Sequence, residues 1–329
     1  MNARRISGVG AAGALAIFLA LPFAAQAQEK YPERPVRLVV PFSPGGQNDL
    51  VGRMWAQHVI PILGQVIVEN RGGAGGTIGS AEVARSKNDG YTLLLGNTTT
   101  VVINPVAMTK PTYGPDDLAP IAVITLVPTS ICIHPSLPVK NLKGLIAFAK
   151  KHPGKLSYGS AGTGSITNLT GELFKIQGGD LDIVHIPYKG AGPGLTDLIA
   201  GHIPVYTPIL SAAPLQYHKS GRLRMLAINS EKRVQAAPDV PTAREAGMPD
   251  MVVQNFNAVL APDGTPKAII DQLNAVTLKV MADAGFQSQL RKVGAEPVTD
   301  SSPDKAARFV RSEIKRWTPI IKRTGFTIN

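Results

Sequence analysis

Two stretches of this chain, far apart in sequence, are built alike. Val36-Arg37-Leu38-Val39-Val40 runs into Pro41-Phe42-Ser43-Pro44-Gly45-Gly46-Gln47-Asn48, and Leu156-Ser157-Tyr158 runs into Gly159-Ser160-Ala161-Gly162-Thr163-Gly164-Ser165. In both, an apolar run stops at a turn rich in glycine and hydroxyls, and apolar residues then restart at helical spacing. A strand that opens through such a turn into a helix leaves several amide N–H groups unpaired at the positive end of the helix dipole. That arrangement seats an anion. Two such seats in one chain imply a protein that closes on a small carboxylate rather than one that transforms it.

Short apolar strands alternate with helical stretches almost throughout, the pattern of an α/β chain with mainly parallel sheets flanked by helices. Its 329 residues exceed what one compact core usually organises, so two lobes are expected. Residues 121–134 and 251–262 are apolar and extended, and they read as two crossover strands between the lobes. The expected domains are residues 28–128 with 253–329 as a discontinuous first lobe, and residues 129–252 as the second. Val51, Met54, Trp55, Val59 and Ile62 are spaced to share one helical face. Near the C-terminus Thr265-Pro266 and Ser302-Pro303 each supply a cap and a first-turn proline for a helix.

The first residues carry an export signal. Arg4 and Arg5 precede an uncharged stretch over residues 6–28, and Ala25-Gln26-Ala27 offers the small residues of a cleavage site after Ala27. The length also approaches a membrane span, but Pro22 and the absence of a following positive flank argue for a cleaved, periplasmic protein. Cys132 is the only cysteine, which excludes an internal disulfide and cysteine-based zinc or redox sites; in its apolar run it reads as a buried small hydrophobe. The net charge of +11 comes from scattered basic residues with few aromatics, so no nucleic-acid partner is implied.

Catalytic signatures are missing where they would be needed. The Gly-x-Gly-x-x-Gly of residues 8–13 lies in the export segment, and Tyr158 takes the first-glycine position of a nucleophile elbow around Ser160. Each of the six histidines stands apart from other metal ligands, so neither a metal nor a cofactor is expected. Open parallel sheets bind ligands beyond the carboxyl ends of their strands. By that rule residues 43–48, 97–100 and 160–168 should converge on one cleft. Ser43 and Asn48 would cap or donate at the first helix, Asn97 and the threonines after it would supply neutral donors, and Tyr188 would close a wall.

These residues resemble the periplasmic solute-binding proteins of tripartite tricarboxylate transporters, the Bug-type receptors. The resemblance spans the whole chain after the export segment. It rests on Arg34-Pro-Val-Arg-Leu-Val-Val-Pro-Phe-Ser-Pro-Gly-Gly, Val68-Glu-Asn-Arg-Gly-Gly-Ala-Gly-Gly-Thr-Ile-Gly, Asp89-Gly-Tyr-Thr-Leu-Leu, Tyr158-Gly-Ser-Ala-Gly-Thr-Gly-Ser, Gly171-Glu-Leu-Phe and Pro187-Tyr-Lys-Gly. It implies a type II-like, Venus-flytrap receptor, a monomer that passes its ligand to membrane transporter subunits. The cleft lining it implies is Phe42, Ser43, Gly45, Gly46, Asn97, Thr98, Ser160, Gly162, Thr163, Gly164, Ser165 and Tyr188. The chain leaves the family pattern at Gln47, Asn48, Asn168, Thr207 and Pro208, where ligand choice is expected to lie. The neutral Thr207-Pro208 pair favours an aromatic carboxylate or a longer dicarboxylate over an amino acid. The competing readings are a secreted serine hydrolase using Ser43, Ser160 or Ser165, and a receptor of the same fold that reports to a sensor kinase.

Overall fold

The computed structural model describes Met1 and residues 31–328, so the export segment and its cleavage point lie outside the described residues. The chain divides into residues 1–31 and a compact unit of residues 32–329, and the architecture below is that of the second.

Its first half builds β1 (Val36–Val40), α1 (Gln47–Leu63), β2 (Val66–Asn70), α2 (Thr77–Ala84), β3 (Thr92–Asn97), a π-helix (Thr98–Ile103), α3 (Asn104–Ala107) and β4 (Leu118–Pro128). There follow β5 (Ser130–Ile133), α4 (Leu142–Lys151), β6 (Leu156–Ser160), α5 (Ile166–Gln177), β7 (Ile183–Pro187), α6 (Ala191–Ala200), β8 (Val205–Tyr206), α7 (Ala212–Lys219) and β9 (Arg224–Ile228). The chain closes with β10 (Gln254–Pro262), α8 (Lys267–Met281), α9 (Ala284–Lys292), β11 (Glu296–Pro297) and α10 (Pro303–Thr324).

Two sheets result, one ordered β11-β4-β10-β3-β1-β2 and the other β7-β6-β8-β5-β9, giving the two-lobed α/β architecture that the sequence implies. The expectation of mainly parallel sheets needs correcting, because both are mixed. β1 is parallel to β2 and β3, and β6 to β7 and β8. β10 is antiparallel to β3 and β4, and β5 to β8 and β9. A strand leaving a lobe and a strand returning to it run in opposite directions, so β4 and β10 can pair only antiparallel. Residues 121–134 accordingly do not form one strand: they divide at Thr129, with β4 in one sheet and β5 in the other.

Thr129 is the crossing point, and it is fully buried. Its amide donates to Val253 O at 2.9 Å, and its carbonyl accepts from Asn229 N at 2.8 Å. Its hydroxyl accepts from Asn229 Nδ2 at 2.9 Å and from the Thr170 hydroxyl at 3.0 Å. Both passages between the sheets are thus tied side by side through one residue.

Packing follows the apolar stripes with one exception. Val51, Trp55 and Val59 of α1 are buried, but Ile62 is 42% exposed and Leu63 turns inward in its place. Gly52 lets α1 lie close on the sheet, since a β-carbon there would stand 2.9 Å from Leu95 and 3.1 Å from Val40. Trp317 is buried, as its stripe requires, and its Nε1 donates to Glu313 Oε2 at 3.0 Å. Ser302 caps α10 by accepting from Lys305 N at 3.2 Å. At α8 the expected cap differs: Pro266 holds the cap position itself, and the Thr265 hydroxyl turns back to Pro262 O at 2.7 Å. Cys132 is fully buried, and that burial pushes its thiol up to about 12, which keeps it un-ionised and inert.

Candidate functional site: three turns at the lobe boundary

At the first turn Gly46 holds the cap position of α1, and no side chain among the described residues caps it. The amides of the helix's first turn have no intrahelical acceptor either, so this end of the dipole is open. Ser43, Gly45 and Gly46 are exposed there, and Phe42 is half-buried. Expected to serve this helix end, Ser43 and Asn48 do not cap it. Asn48 instead reaches β10, where its Nδ2 donates to Asn257 Oδ1 at 2.7 Å. Asp49 is buried in the same turn and accepts from Gly45 N at 2.9 Å, Asn70 Nδ2 at 2.9 Å and Arg53 Nε at 3.0 Å. Burial pushes its carboxyl up, but these donors outweigh that and hold it below the usual carboxylate range. Arg53 offsets the charge Asp49 brings to the helix end.

The second stretch is committed to structure. Asn97 Oδ1 accepts from Thr100 N at 3.1 Å, and Thr100 Oγ1 accepts from Asn97 N at 3.0 Å, a reciprocal cap on the π-helix. Thr98 is fully buried, and its hydroxyl accepts from Phe256 N at 3.0 Å, which fastens β10. The Thr98 hydroxyl is thus committed to β10, while Asn97 uses its side-chain oxygen for the cap. This stretch meets the first turn directly, because a β-carbon on Gly76 would stand 2.5 Å from Thr100 Cγ2 and 3.1 Å from Phe42 Cζ.

Asn255 and Asn257, on β10, were not apparent from sequence reasoning. Alternate residues of a strand share a face, and these two are 1% and 0% exposed on the face turned to α1. Gln47 Oε1 accepts from Asn257 Nδ2 at 3.4 Å and from Asn255 Nδ2 at 3.5 Å. Asn257 Nδ2 also donates to Thr125 Oγ1 at 2.8 Å. Gln47 Nε2, Asn48 Oδ1 and Asn255 Oδ1 are buried with no hydrogen-bond partner among the described residues. The sequence signal was there: two asparagines at strand period inside an apolar run.

The second turn, between β6 and α5, satisfies itself. Ser165 caps α5 by accepting from Asn168 N at 3.2 Å, and Asn168 Oδ1 accepts from Gly164 N at 3.0 Å. Thr167 Oγ1 accepts from Ala161 N at 2.8 Å, and the Ser165 hydroxyl donates to Gly162 O at 2.6 Å. Thr163 is the exposed tip. Thr207 and Pro208 are both buried. The Thr207 hydroxyl donates to Thr167 O at 2.7 Å, and Pro208 O accepts from Ser130 N at 2.9 Å. Tyr188 is also fixed from behind, its hydroxyl donating to Asp197 Oδ2 at 2.7 Å. Burial, with that carboxylate adding to it, pushes the phenol up to about 12.

Beneath the second turn lies a polar network that the sequence did not reveal. Ser160 is fully buried and its Oγ lies 2.7 Å from His185 Nε2. The same oxygen accepts from Gly162 N at 3.1 Å and stands 3.2 Å from Gly162 O. His185 stacks on Tyr158 with ring centroids 4.9 Å apart, and the Tyr158 hydroxyl accepts from Asn168 Nδ2 at 2.7 Å and donates to Glu172 Oε1 at 2.6 Å. Burial lowers the His185 pKa, Glu172 opposes this and Lys175 adds to it, which favours the neutral ring. The Ser160 hydroxyl is thus closed off from solvent and held within its own turn.

α5, which the second turn opens, lies against the π-helix that follows β3. Phe326, just beyond α10, reaches across and covers Gly164.

Residues 51–326 match the family described as "Tripartite tricarboxylate transporter family receptor". The chain is 37% identical over 300 residues to the protein BugT of Bordetella pertussis, covering 90% of this chain and 91% of that one. Among solved structures it is similar to R. palustris Rpa4515 with adipate, at a TM-score of 0.82 and 35% identity over 90% of this chain and 99% of that one. It is also similar to MatC from Rhodopseudomonas palustris with bound malate, at a TM-score of 0.78 and 30% identity over 88% of this chain and 100% of that one. With a family match over most of its length and a relative 37% identical over 300 residues, the chain belongs to the tripartite tricarboxylate transporter receptor family.

Proposed function

We propose that this protein is a periplasmic receptor that takes up an organic carboxylate, a dicarboxylate or an aromatic acid, between its lobes and delivers it to the membrane subunits of a tripartite tricarboxylate-type transporter. The observation that carries this reading is the uncapped N-terminus of α1. Neutral amides seat a carboxylate without a buried counter-ion, whose desolvation can cost more than its attraction returns. Relatives solved with adipate and malate support the ligand class. In this reading the lobes are residues 28–128 with 253–329 and residues 129–252, the export segment is removed after Ala27, and the receptor acts as a monomer.

The Ser160–His185 contact of 2.7 Å is what a hydrolase reading would cite. Thermal denaturation against a panel of mono-, di- and aromatic carboxylates separates the two. A ligand at a hundred times its Kd should stabilise the fold by about 2.7 kcal/mol. No stabilisation by any acid, with turnover of an ester or amide that Ser160→Ala abolishes, would replace the receptor with a hydrolase.

A further inference from the structure

The carboxamide patch between α1 and β10 has a polarity of its own. One donor, Gln47 Nε2, and two acceptors, Asn48 Oδ1 and Asn255 Oδ1, are buried there without partners among the described residues. Leaving buried polar atoms unpaired is costly, on the order of 1–3 kcal/mol each. A carboxamide can turn end for end about its last bond. If Gln47, Asn48, Asn255 and Asn257 all turn together, every hydrogen bond among them is preserved with donor and acceptor exchanged. The unpaired set then becomes two donors and one acceptor. In either orientation the patch presents both kinds of atom. A carboxylate only accepts and an ammonium only donates, so each would leave part of it unmet.

We infer that the patch recognises a neutral hydroxyl or carboxamide on the ligand, so that the preferred carboxylate carries such a group in addition to the carboxylate seated at α1. This rests on the receptor reading above and narrows it. Placement supports it: Gln47 and Asn48 are the first two residues of the helix whose open amides form the seat, and Asn255 extends past the β3 end of the β10 pairing, which stops at Asn257–Asn97. Access is supplied by Gln47. Its side chain is held only at 3.4 and 3.5 Å, the long limit for a hydrogen bond, and it is the one member of the patch that is not fully buried. Swinging it outward breaks little and uncovers Asn255 and Asn257.

The test is titration calorimetry of the mature protein with acids paired to differ by one group: succinate with malate, glutarate with 2-hydroxyglutarate, benzoate with 4-hydroxybenzoate, succinate with succinamate. The expected result is that in at least one pair the hydroxylated or amidated acid binds at least about tenfold tighter. That advantage should fall to within about threefold in Gln47→Leu, whose side chain is partly exposed, and in Asn255→Leu. Equal binding within every pair overturns the inference while leaving the receptor reading intact, and means that the patch holds water. A preference that survives both substitutions also overturns it. Binding of no acid at all removes the receptor reading and this inference together.

Discussion

The ring of Phe326 lies directly over Gly164, so that a β-carbon on that glycine would overlap it. Gly164 also has φ of +76°, a conformation that costs an L-residue about 1 kcal/mol or more. One contact thus joins the end of the chain in the first lobe to the turn that opens α5 in the second.

Gly164→Ala should therefore destabilise by two separable amounts. The backbone contribution, about 1–2 kcal/mol, stays in a Phe326→Ala background, whereas the overlap contribution, about 1–3 kcal/mol, disappears there. A urea double-mutant cycle reads the difference, and strict additivity would show that the ring does not cover the turn.

Ser165→Ala removes the cap of α5 and should cost about 1 kcal/mol. It also frees Asn168 N and removes one of the donors to Gly162 O, so hydrogen exchange of the residues 160–168 backbone should rise while that of α1 stays unchanged. Uniform change across both helices would contradict the local role given to this hydroxyl.

His185 predicts a pH dependence. Its folded pKa is below the usual 6.5 because burial disfavours the charged ring. The unfolded chain therefore binds the proton first, and stability that is present above about 6.5 is lost as pH falls from there through the folded value. His185→Phe keeps the stacking on Tyr158 but titrates nothing. Its melting temperature should be flatter between pH 7 and 5 than that of the wild type, at a cost of about 1 kcal/mol for the lost Ser160 hydrogen bond.

Asp49 acts lower on the scale. With its folded pKa held below 3.8, the stability it contributes is present above that value and lost as pH falls through the folded one. Asp49→Asn should cost about 2 kcal/mol at neutral pH and remove part of the acid transition below pH 4, followed by circular dichroism. An unchanged acid midpoint would mean that other carboxylates control it.

Much of this architecture could be read from residue patterns because local chemistry determines it. Val36–Val40 and Leu156–Ser160 are strands, each followed by a glycine turn and a helix, as the β-branched residues of the first and the glycines of both turns lead one to expect. Sheet polarity was less legible, since whether β10 runs with or against β3 depends on where the chain returns from, which no local pattern records. The site divides the same way. Ser160, Gly164, Ser165 and Asn168 do form one turn, yet Tyr158, Glu172 and His185 join beneath it from two strands and a helix with no common spacing. Asn255 and Asn257 were hidden by their strand being read as a link alone. Phe326 follows the last helix, where periodicity ends, and only the folded chain brings it to Gly164.

The inequality of the two turns has a consequence for the order of events. In the receptor reading proposed above, an anion arriving at α1 meets helix amides that no side chain caps, with only Gly45 N beside them already held by Asp49, so it joins mostly by addition. At α5 the Ser165, Thr167 and Asn168 side chains already hold the turn, so it must be accepted by exchange, bond for bond. Addition disturbs nothing and exchange needs something to make it worthwhile. In that reading the first lobe serves for landing, and the second for deciding whether what has landed is kept.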